Sequence, residues 1–268
     1  MVHAMKLWKY IPIVIFLSCI DLITQKTLYN SLYFQGGSWI EIAPLDSMKM
    51  DTGTNDFTLQ FWVSGGEVDT NEAPSLFSLI DPQDSIKLAL LRDRGKTNTI
   101  TIVINSETLP PKEINGLDWS DPDNFYLISF LFSDTKDIKI YLNDTNLIEP
   151  DFLPPESRLN VGDAKLMLGA LVNEDRTILE NFWYGYIDEV RLWNTRLADS
   201  TIKFQFIHPE KLGDYYRYPY YDSLIGIWRF NLEKPTSVIE DDSGFNNDGI
   251  IYTILEKFSV ELSKKGAQ

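Results

Sequence analysis

Two adjacent acids, Asp188 and Glu189, stand inside the otherwise apolar run YGYIDEVRLWNTRL at residues 184–197. Glycoside hydrolysis needs two carboxyl groups about 5–9 Å apart, one on each side of the scissile bond. Neighbouring side chains on a strand point to opposite faces of a sheet, so simple alternation does not let these two acids flank one sugar. The pair is therefore expected to belong to the scaffold, and Asp188 is the better candidate for a metal ligand.

Histidine gives no stronger catalytic candidate. The chain has two histidines, and His3 lies within a segment that we expect to be removed, so a Ser-His-Asp triad would have to use His208. His208 precedes Pro209 at a predicted helix end, where a capping or surface role is expected. We predict no catalytic residue and no enzymatic activity.

The charge of the chain narrows its possible partners. The formal net charge is −15 at pH 7 over 268 residues, and no basic stripe is visible. Binding to phosphate backbones needs clustered lysine and arginine, so nucleic acid is excluded as an expected partner. An acidic surface can attract divalent cations, but this bias defines no site.

The first residues have the pattern of an export signal. Lys6 and Lys9 precede an apolar run at residues 10–17, which is too short to span a membrane comfortably. The sequence FLSC at residues 16–19 resembles a bacterial lipoprotein signal, in which the cysteine becomes lipidated. We therefore expect a signal peptide at 1–18, lipidation of Cys19 and a linker at 19–28. The alternative is an ordinary signal peptide that is cut further along the chain.

Short apolar runs with period-two alternation dominate the chain from residue 29 onward. Phe57, Leu59, Phe61 and Val63 share one face of a predicted strand, and the run FYLISFLF is apolar on both faces, as in a central strand. Glycine, asparagine, aspartate and proline separate the runs. The absence of a βαβ rhythm favours an all-β, antiparallel two-sheet sandwich.

One short helix interrupts the strands. Residues 198–200 are expected to cap it, an apolar stripe of Ile202, Phe206 and Ile207 is expected to pack it, and Pro209 is expected to end it. The domain is predicted to cover residues 29–255. Residues 256–268 are predicted to form a polar tail.

Several of these segments together resemble the laminin G-like (LamG) branch of the concanavalin A-like jelly rolls. SLYFQGGSWIEI resembles the opening strand pair of that family, and NDFTLQFWVSG resembles its D-F-T-I-x-x-W-V strand. The most specific match is YGYIDEVRLWNTRLADSTI, which is similar to G-x-I-D-E-V-R-I-W-N-R-A-L-S-x-x-E-I. LIGIWRFN and the acidic run after it resemble an element that often opens such domains. Here that element comes last, so we expect it to complete the sandwich from the C-terminal side.

The resemblance implies a jelly roll that presents loops. Jelly-roll hydrolases of this kind place E-x-D-x-x-E on one strand, and no such pattern is expected here. Gln35 replaces the usual aspartate of F-D-G, which weakens any inherited ligand set at that position.

The resemblance also suggests one structural calcium ion, since related folds often place one near an acidic turn. The run EDDSGFNNDG at residues 240–249 offers many oxygen atoms around two glycines. Asp188, Asp242 and Asn247 are the predicted ligands. The alternative is an acidic turn held by side-chain to backbone hydrogen bonds.

Sugar binding is the expectation at the level of the family, and it requires exposed aromatic rings beside polar groups. The candidates are Trp62, Trp119, Tyr216 and Tyr218. Each has an alternative role: Trp62 packing beneath a loop, Trp119 pinning a loop, and the tyrosines covering a sheet edge.

The sequence thus predicts a non-catalytic LamG-like domain that is exported, and that is either anchored in the cell envelope (outer membrane or periplasm) or secreted. Polysaccharide or another glycan is the expected ligand, and the membrane is reached only through a lipid anchor. The alternative is a structural or adhesion module that contacts a protein partner at the cell surface.

Overall fold

The computed structural model describes residues 31–44, 56–66, 73–83, 85–133, 136–147, 161, 163–172, 179–209, 211–212, 220–254 and 260–267. These residues form two facing antiparallel sheets with one short α-helix, which confirms the predicted sandwich. The signal segment, the linker and Cys19 lie outside the described residues. Within those residues, no helix is long and apolar enough to cross a lipid bilayer.

The strands are numbered in chain order, and their bounds are as follows: β1 Ser31–Gln35, β2 Ser38–Pro44, β3 Phe57–Gly65, β4 Ser75–Ile80, β5 Ile86–Arg92, β6 Thr99–Ile104, β7 Glu107–Thr108, β8 Lys112–Glu113, β9 Tyr126–Ser133, β10 Lys136–Leu142, β11 Thr145–Asn146, β12 Lys165–Leu168, β13 Leu171–Val172, β14 Leu179–Glu180, β15 Tyr184–Trp193, β16 Leu224–Arg229, β17 Val238–Ile239, β18 Gly249–Thr253 and β19 Glu261–Ser263. The helix α1 covers Asp199–Ile207, and a 3-10 helix covers Tyr220–Ser223.

Two large sheets contain most of the strands. The first sheet has the order β11-β10-β9-β3-β15-β1-β19, with β16 paired to β15. The second sheet has the order β17-β18-β2-β12-β4-β5-β6-β7, with β8 paired to β6. A small hairpin, β13-β14, stands apart from both.

The glycine pair between β1 and β2 moves the chain from one sheet to the other. Gly36 and Gly37 have positive φ angles of 78° and 90°, which glycine adopts without steric cost. A β-carbon on Gly36 would also collide with the ring of Tyr184. The two predicted strands around these glycines are therefore present, but each pairs with distant partners rather than with the other.

The main core lies between the two sheets. Phe61 on β3 stacks on Phe77 of β4 with ring centroids 5.0 Å apart, and Phe130 on β9 meets Phe77 edge-on. These rings are buried, and full burial of each such side chain stabilises the fold by about 2 kcal/mol. The alternate residues of β9 are also buried on the other face, so the predicted central strand is confirmed.

Helix α1 covers the outer face of the first sheet and closes a second, smaller core. Ile202 is fully buried there with Leu131 and Trp193, and Phe206 stacks on Trp62. Two details of the predicted helix are wrong. Ile207 is 65% exposed, because it lies beyond the sheet-facing side of the last turn, and the N-cap residue Ala198 makes no side-chain capping bond.

A buried polar network fastens the helix to the sheet. The Nε2 atom of Gln60 donates to Ser129 and to Gln205 of the helix, at 3.1 and 2.8 Å, and its Oε1 atom accepts from the indole N–H of Trp193 at 2.9 Å. All three polar groups of the Gln60 amide therefore have defined partners, which fixes the helix in one register over β3.

The C-terminal part of the chain completes both sheets, as the sequence predicted for LIGIWRFN. Strand β16 joins the first sheet beside β15, and β18 joins the second sheet beside β2. Strand β19 pairs with β1, so the segment predicted as a polar tail contributes a strand to the sandwich.

Candidate functional site

The acidic pair lies at a β-bulge. Ile187 is paired with Val63 and Val190 with Phe61, so Asp188 and Glu189 together face the single residue Trp62. The bulge shifts the alternation of β15, because Ile187 and Val190 both belong to the main core. Simple alternation, which put the two acids on opposite faces, is therefore wrong here. Both carboxylates lie on the outer side of the first sheet.

Each acid already has partners. Glu189 pairs with Arg191, as predicted, and its second oxygen accepts from Arg229 at 2.9 Å. Asp188 accepts the backbone N–H of Ala267 at 2.8 Å. Burial, together with the charge of Glu189, raises the pKa of Asp188 to about 7, although the Ala267 hydrogen bond and the charge of Arg191 partly oppose this rise. Asp188 thus holds the C-terminal segment, and Glu189 holds the neighbouring strand β16. Both acids have a structural role.

The acidic turn at 240–249 is held by its own hydrogen bonds. The carboxylate of Asp241 accepts from the backbone N–H groups of Ile227, Ser243 and Asn247 at 2.9, 2.9 and 3.0 Å, and from the Ser243 hydroxyl at 2.8 Å. Asp248 accepts from the Asp241 N–H at 2.9 Å. Two carboxylate oxygens that already accept four hydrogens have little capacity left for a cation.

The predicted calcium ligands do not fit a metal site together. The side chain of Asn247 donates to the Ile225 carbonyl at 2.9 Å, and Asp242 is exposed with Arg229 3.5 Å away. Asp188 instead accepts from Ala267. Among the described residues, no three or more His, Cys, Asp or Glu side chains are grouped so that they could hold a metal ion. The geometry favours the alternative, an acidic turn held by side-chain to backbone bonds.

Neither of the two tryptophans predicted for sugar binding is available as an open ring. Trp62 is 6% exposed beneath Phe206 of the helix. Trp119 is 1% exposed, donates its indole N–H to the Thr99 carbonyl and meets Trp183 edge-on. The alternative roles of both residues, packing and loop pinning, match these contacts. Tyr216 and Tyr218 lie outside the described residues.

A different aromatic cluster lies partly open on the outer face of the second sheet. Trp39 on β2 and Tyr252 on β18 are directly opposite in register and stack with centroids 5.4 Å apart and planes 18° apart. The Phe182 ring is tilted against Trp39, with ring centroids 6.1 Å apart. We call Trp39, Phe182 and Tyr252 the aromatic platform. Of the six tryptophans in the described part of the chain, only Trp39 is not buried.

The position of the platform follows from strand alternation. Ile40 and Ile42 point into the main core, so Trp39 and Glu41 point outward. Tyr252 is 39% exposed. Because one face of its ring packs on Trp39, the exposed part is the opposite face and the edge.

Polar and apolar groups border the platform. Glu41 forms a 2.6 Å ion pair with Lys165 of the neighbouring strand, and both side chains remain partly accessible. Ile250 on β18 is directly opposite Glu41 and is 45% exposed. The surface therefore combines an aromatic ring face with hydrogen-bonding groups at its edge, which is an arrangement that can hold a sugar ring.

A groove of about 430 Å³ lies on the same side of the second sheet, over β5 and β6. Its floor contains Leu91, Val103 and Leu171, and its rim contains Arg94 and Asn181. Leu171 begins β13, Asn181 directly follows β14, and Phe182 of the platform comes next along the chain. One hairpin thus borders both features.

Comparison with known proteins assigns this architecture to a known superfamily. A family profile, Laminin_G_3, of the concanavalin A-like lectin/glucanases superfamily matches residues 34–203. The chain belongs to this superfamily. No curated protein sequence matches the chain.

Solved structures share the concanavalin A-like fold at low sequence identity. A candidate carbohydrate-binding protein of Bacteroides ovatus is 13% identical with a TM-score of 0.55, over 88% of this chain and 60% of that one. Trypanosoma rangeli sialidase in complex with sialic acid is 16% identical with a TM-score of 0.50, over 69% of this chain and 28% of that one. The chain thus spans less than two thirds of either protein, and at these identities the likeness concerns the fold alone.

Two signals in this concanavalin A-like sequence were missed before the structure was known. The alternation of SWIEI already places Trp39 outward, opposite the core residues Ile40 and Ile42. The spacing E-x-D-x-x-E occurs at Glu67, Asp69 and Glu72, directly after β3 and not on a predicted strand. These three acids lie outside the described residues.

Proposed function

We propose that this domain binds carbohydrate through the aromatic platform on the outer face of the second sheet. One observation carries the proposal: Trp39, alone among the described tryptophans, is not buried, and it stacks on the 39%-exposed Tyr252 beside the Glu41–Lys165 pair. Pyranose rings have C–H-rich faces that pack on aromatic rings, while their hydroxyls need donors and acceptors close by. Membership of a lectin/glucanase superfamily supports the same ligand class.

Replacing Tyr252 with alanine tests this proposal. The exposed 39% of a side chain of about 200 Å² leaves about 80 Å² for a ligand to cover. At about 25 cal/mol per Å², full coverage is worth about 2 kcal/mol, and partial coverage about half of that. We expect the Tyr252→Ala variant to lose between about 5-fold and about 30-fold in affinity for a glycan identified on an array.

Phe245 supplies a matched control, since it is an aromatic residue with 36% exposure on the acidic turn. Phe245→Ala should bind the glycan like the wild type. Equal affinity of the Tyr252→Ala variant and the wild type would remove the platform from the site. No signal for the wild type on a broad array would favour the alternative of a protein contact, for which the exposed Val238, Ile250 and Ile254 are the supporting observation.

Hydrolysis is a second candidate function because the sequence contains the E-x-D-x-x-E spacing at residues 67–72. We propose binding without catalysis as the main activity. Incubation with β-glucans tests it, since reducing sugar released by the wild type and not by Glu67→Gln would replace binding with hydrolysis.

We further propose that the protein is exported and anchored through a lipid on Cys19. The basic, apolar and FLSC segments support this proposal. A clickable palmitate analogue should label the wild type and not Cys19→Ala, and equal labelling of both would contradict it.

A further inference from the structure

The exposed apolar surface of the second sheet extends well beyond the platform. Ile250, Tyr252 and Ile254 occupy alternate positions along and just after β18, and their exposures are 45%, 39% and 52%. Alternate residues of a strand are about 6.7 Å apart, so the three side chains cover about 13 Å. Val238, opposite Ile250 on β17, widens this row and is 40% exposed. We call Ile250, Tyr252 and Ile254 the β18 row.

The β18 row is open rather than enclosed. Between 39% and 52% of each of its three residues is exposed to solvent, whereas Ile251 and Thr253, on the opposite face of the strand, line a cavity. A wall-less surface contacts a ligand from one side only, so each sugar unit contributes little. Useful affinity then requires several units bound in series.

Charge decides between classes of polymer. The chain has a formal net charge of −15, and Lys165 beside the platform is already paired with Glu41. Sulfated or uronic-acid chains carry net charge of the same sign as the protein, and the Lys165 ammonium is already engaged with Glu41, so their approach to this surface is weakened. A neutral chain with equatorial hydroxyls instead offers a continuous C–H-rich face to the row.

We infer that the site takes an uncharged, extended polysaccharide chain whose flat face lies along the β18 row, in preference to single sugars or acidic glycans. This inference rests on the proposed carbohydrate-binding function. The row gives the chain its direction, and Tyr252 gives the strongest single contact.

The experiment measures affinity against chain length by titration calorimetry. The probes are neutral oligosaccharides of one to six units from a polymer found on the array, with polygalacturonate and heparin as acidic probes. We expect affinity to rise at least about tenfold from one to six units. Ile250→Ser and Ile254→Ser should each weaken hexamer binding about fivefold without changing monomer binding. The control is Ile207→Ser, which changes a 65%-exposed residue of α1, on the outer face of the first sheet. This variant should bind like the wild type.

The outcomes separate the inference from the function beneath it. Three results would overturn the inference while leaving carbohydrate binding in place. These are equal affinity for one and six sugar units, equal affinity for acidic and neutral probes at 0.15 M salt (~8 Å screening length), and hexamer affinity that neither β18-row variant changes. Absence of binding to every glycan, together with identical behaviour of the wild type and Tyr252→Ala, would overturn the proposed function itself.

Discussion

Replacement of Asp188 with asparagine should make the fold more stable at neutral pH and have little effect in acid. Asp188 is largely covered beside the bulge and accepts one hydrogen bond, from the Ala267 N–H. Burial raises its pKa from 3.8 to about 7. Asparagine keeps an oxygen acceptor for Ala267 and removes the ionisable proton.

The magnitude follows from the shift and its sign. Below pH 3.8 the carboxyl is protonated in both the folded and the unfolded chain, so the group contributes no difference. Between 3.8 and about 7 the folded chain holds more protons than the unfolded chain, and the free energy of unfolding falls by about 1.4 kcal/mol per pH unit. Above pH 7 the full loss of about 4 kcal/mol is reached.

Urea denaturation from pH 4 to pH 9 measures this loss. The difference in unfolding free energy between Asp188→Asn and the wild type should be near zero at pH 4, grow up to about pH 7 and then stay constant. Asp188→Ala is the control, because it removes the same proton and also the acceptor for Ala267. It should follow the same pH dependence with a constant offset of about 1 kcal/mol. A difference that stays flat from pH 4 to pH 8 would refute the reasoning.

Three further predictions concern the turn, the cation and the polar network. Asp241→Ala should lower the free energy of unfolding in urea by about 3 kcal/mol, because four hydrogen bonds lose their acceptor. The exposed Asp242→Ala should change it by no more than about 0.5 kcal/mol. Equal losses for the two variants would count against a turn held by the hydrogen bonds of Asp241. A chelator should leave the melting temperature unchanged if the turn is held by its own hydrogen bonds, and a drop of several degrees would support the predicted calcium ion. Gln60→Leu should lower the melting temperature by roughly 6–12 °C, since the Trp193 indole N–H loses its acceptor and the Gln205 Oε1 atom loses its Gln60 donor. The exposed Gln83→Leu should leave the melting temperature unchanged in the same scan.

The strand inventory could be predicted because each strand shows its buried face locally. Alternation at Phe57–Val63 and the two-sided apolar run at β9 describe contacts that any sandwich must make. The tight turn at Gly36 and Gly37 could also be predicted, because its signal, two adjacent glycines, is local in the sequence. The sequence did not show which sheet β1 and β2 would each join, because their pairing partners β15 and β12 lie more than a hundred residues further along the chain.

The candidate site could be predicted only in kind. Sequence reasoning expected aromatic rings for a sugar, but Trp62 and Trp119 carry the same residue type as Trp39 and differ only in what covers them. Helix α1 covers Trp62, and Trp183 helps to enclose Trp119. Burial of this kind depends on elements from distant parts of the chain.

The sequence alone determined that this protein is an antiparallel sandwich of the concanavalin A-like kind, acidic and rich in aromatic side chains, because period-two alternation and turn residues act over a few neighbours. Only the tertiary structure decided that a bulge turns Asp188 and Glu189 to one face of the sheet. It also decided that hydrogen bonds within the acidic turn occupy the Asp241 carboxylate, and that Tyr252 stacks on Trp39 at an accessible surface. Each of these outcomes depends on the register between strands, and register is fixed by the packing of the whole core.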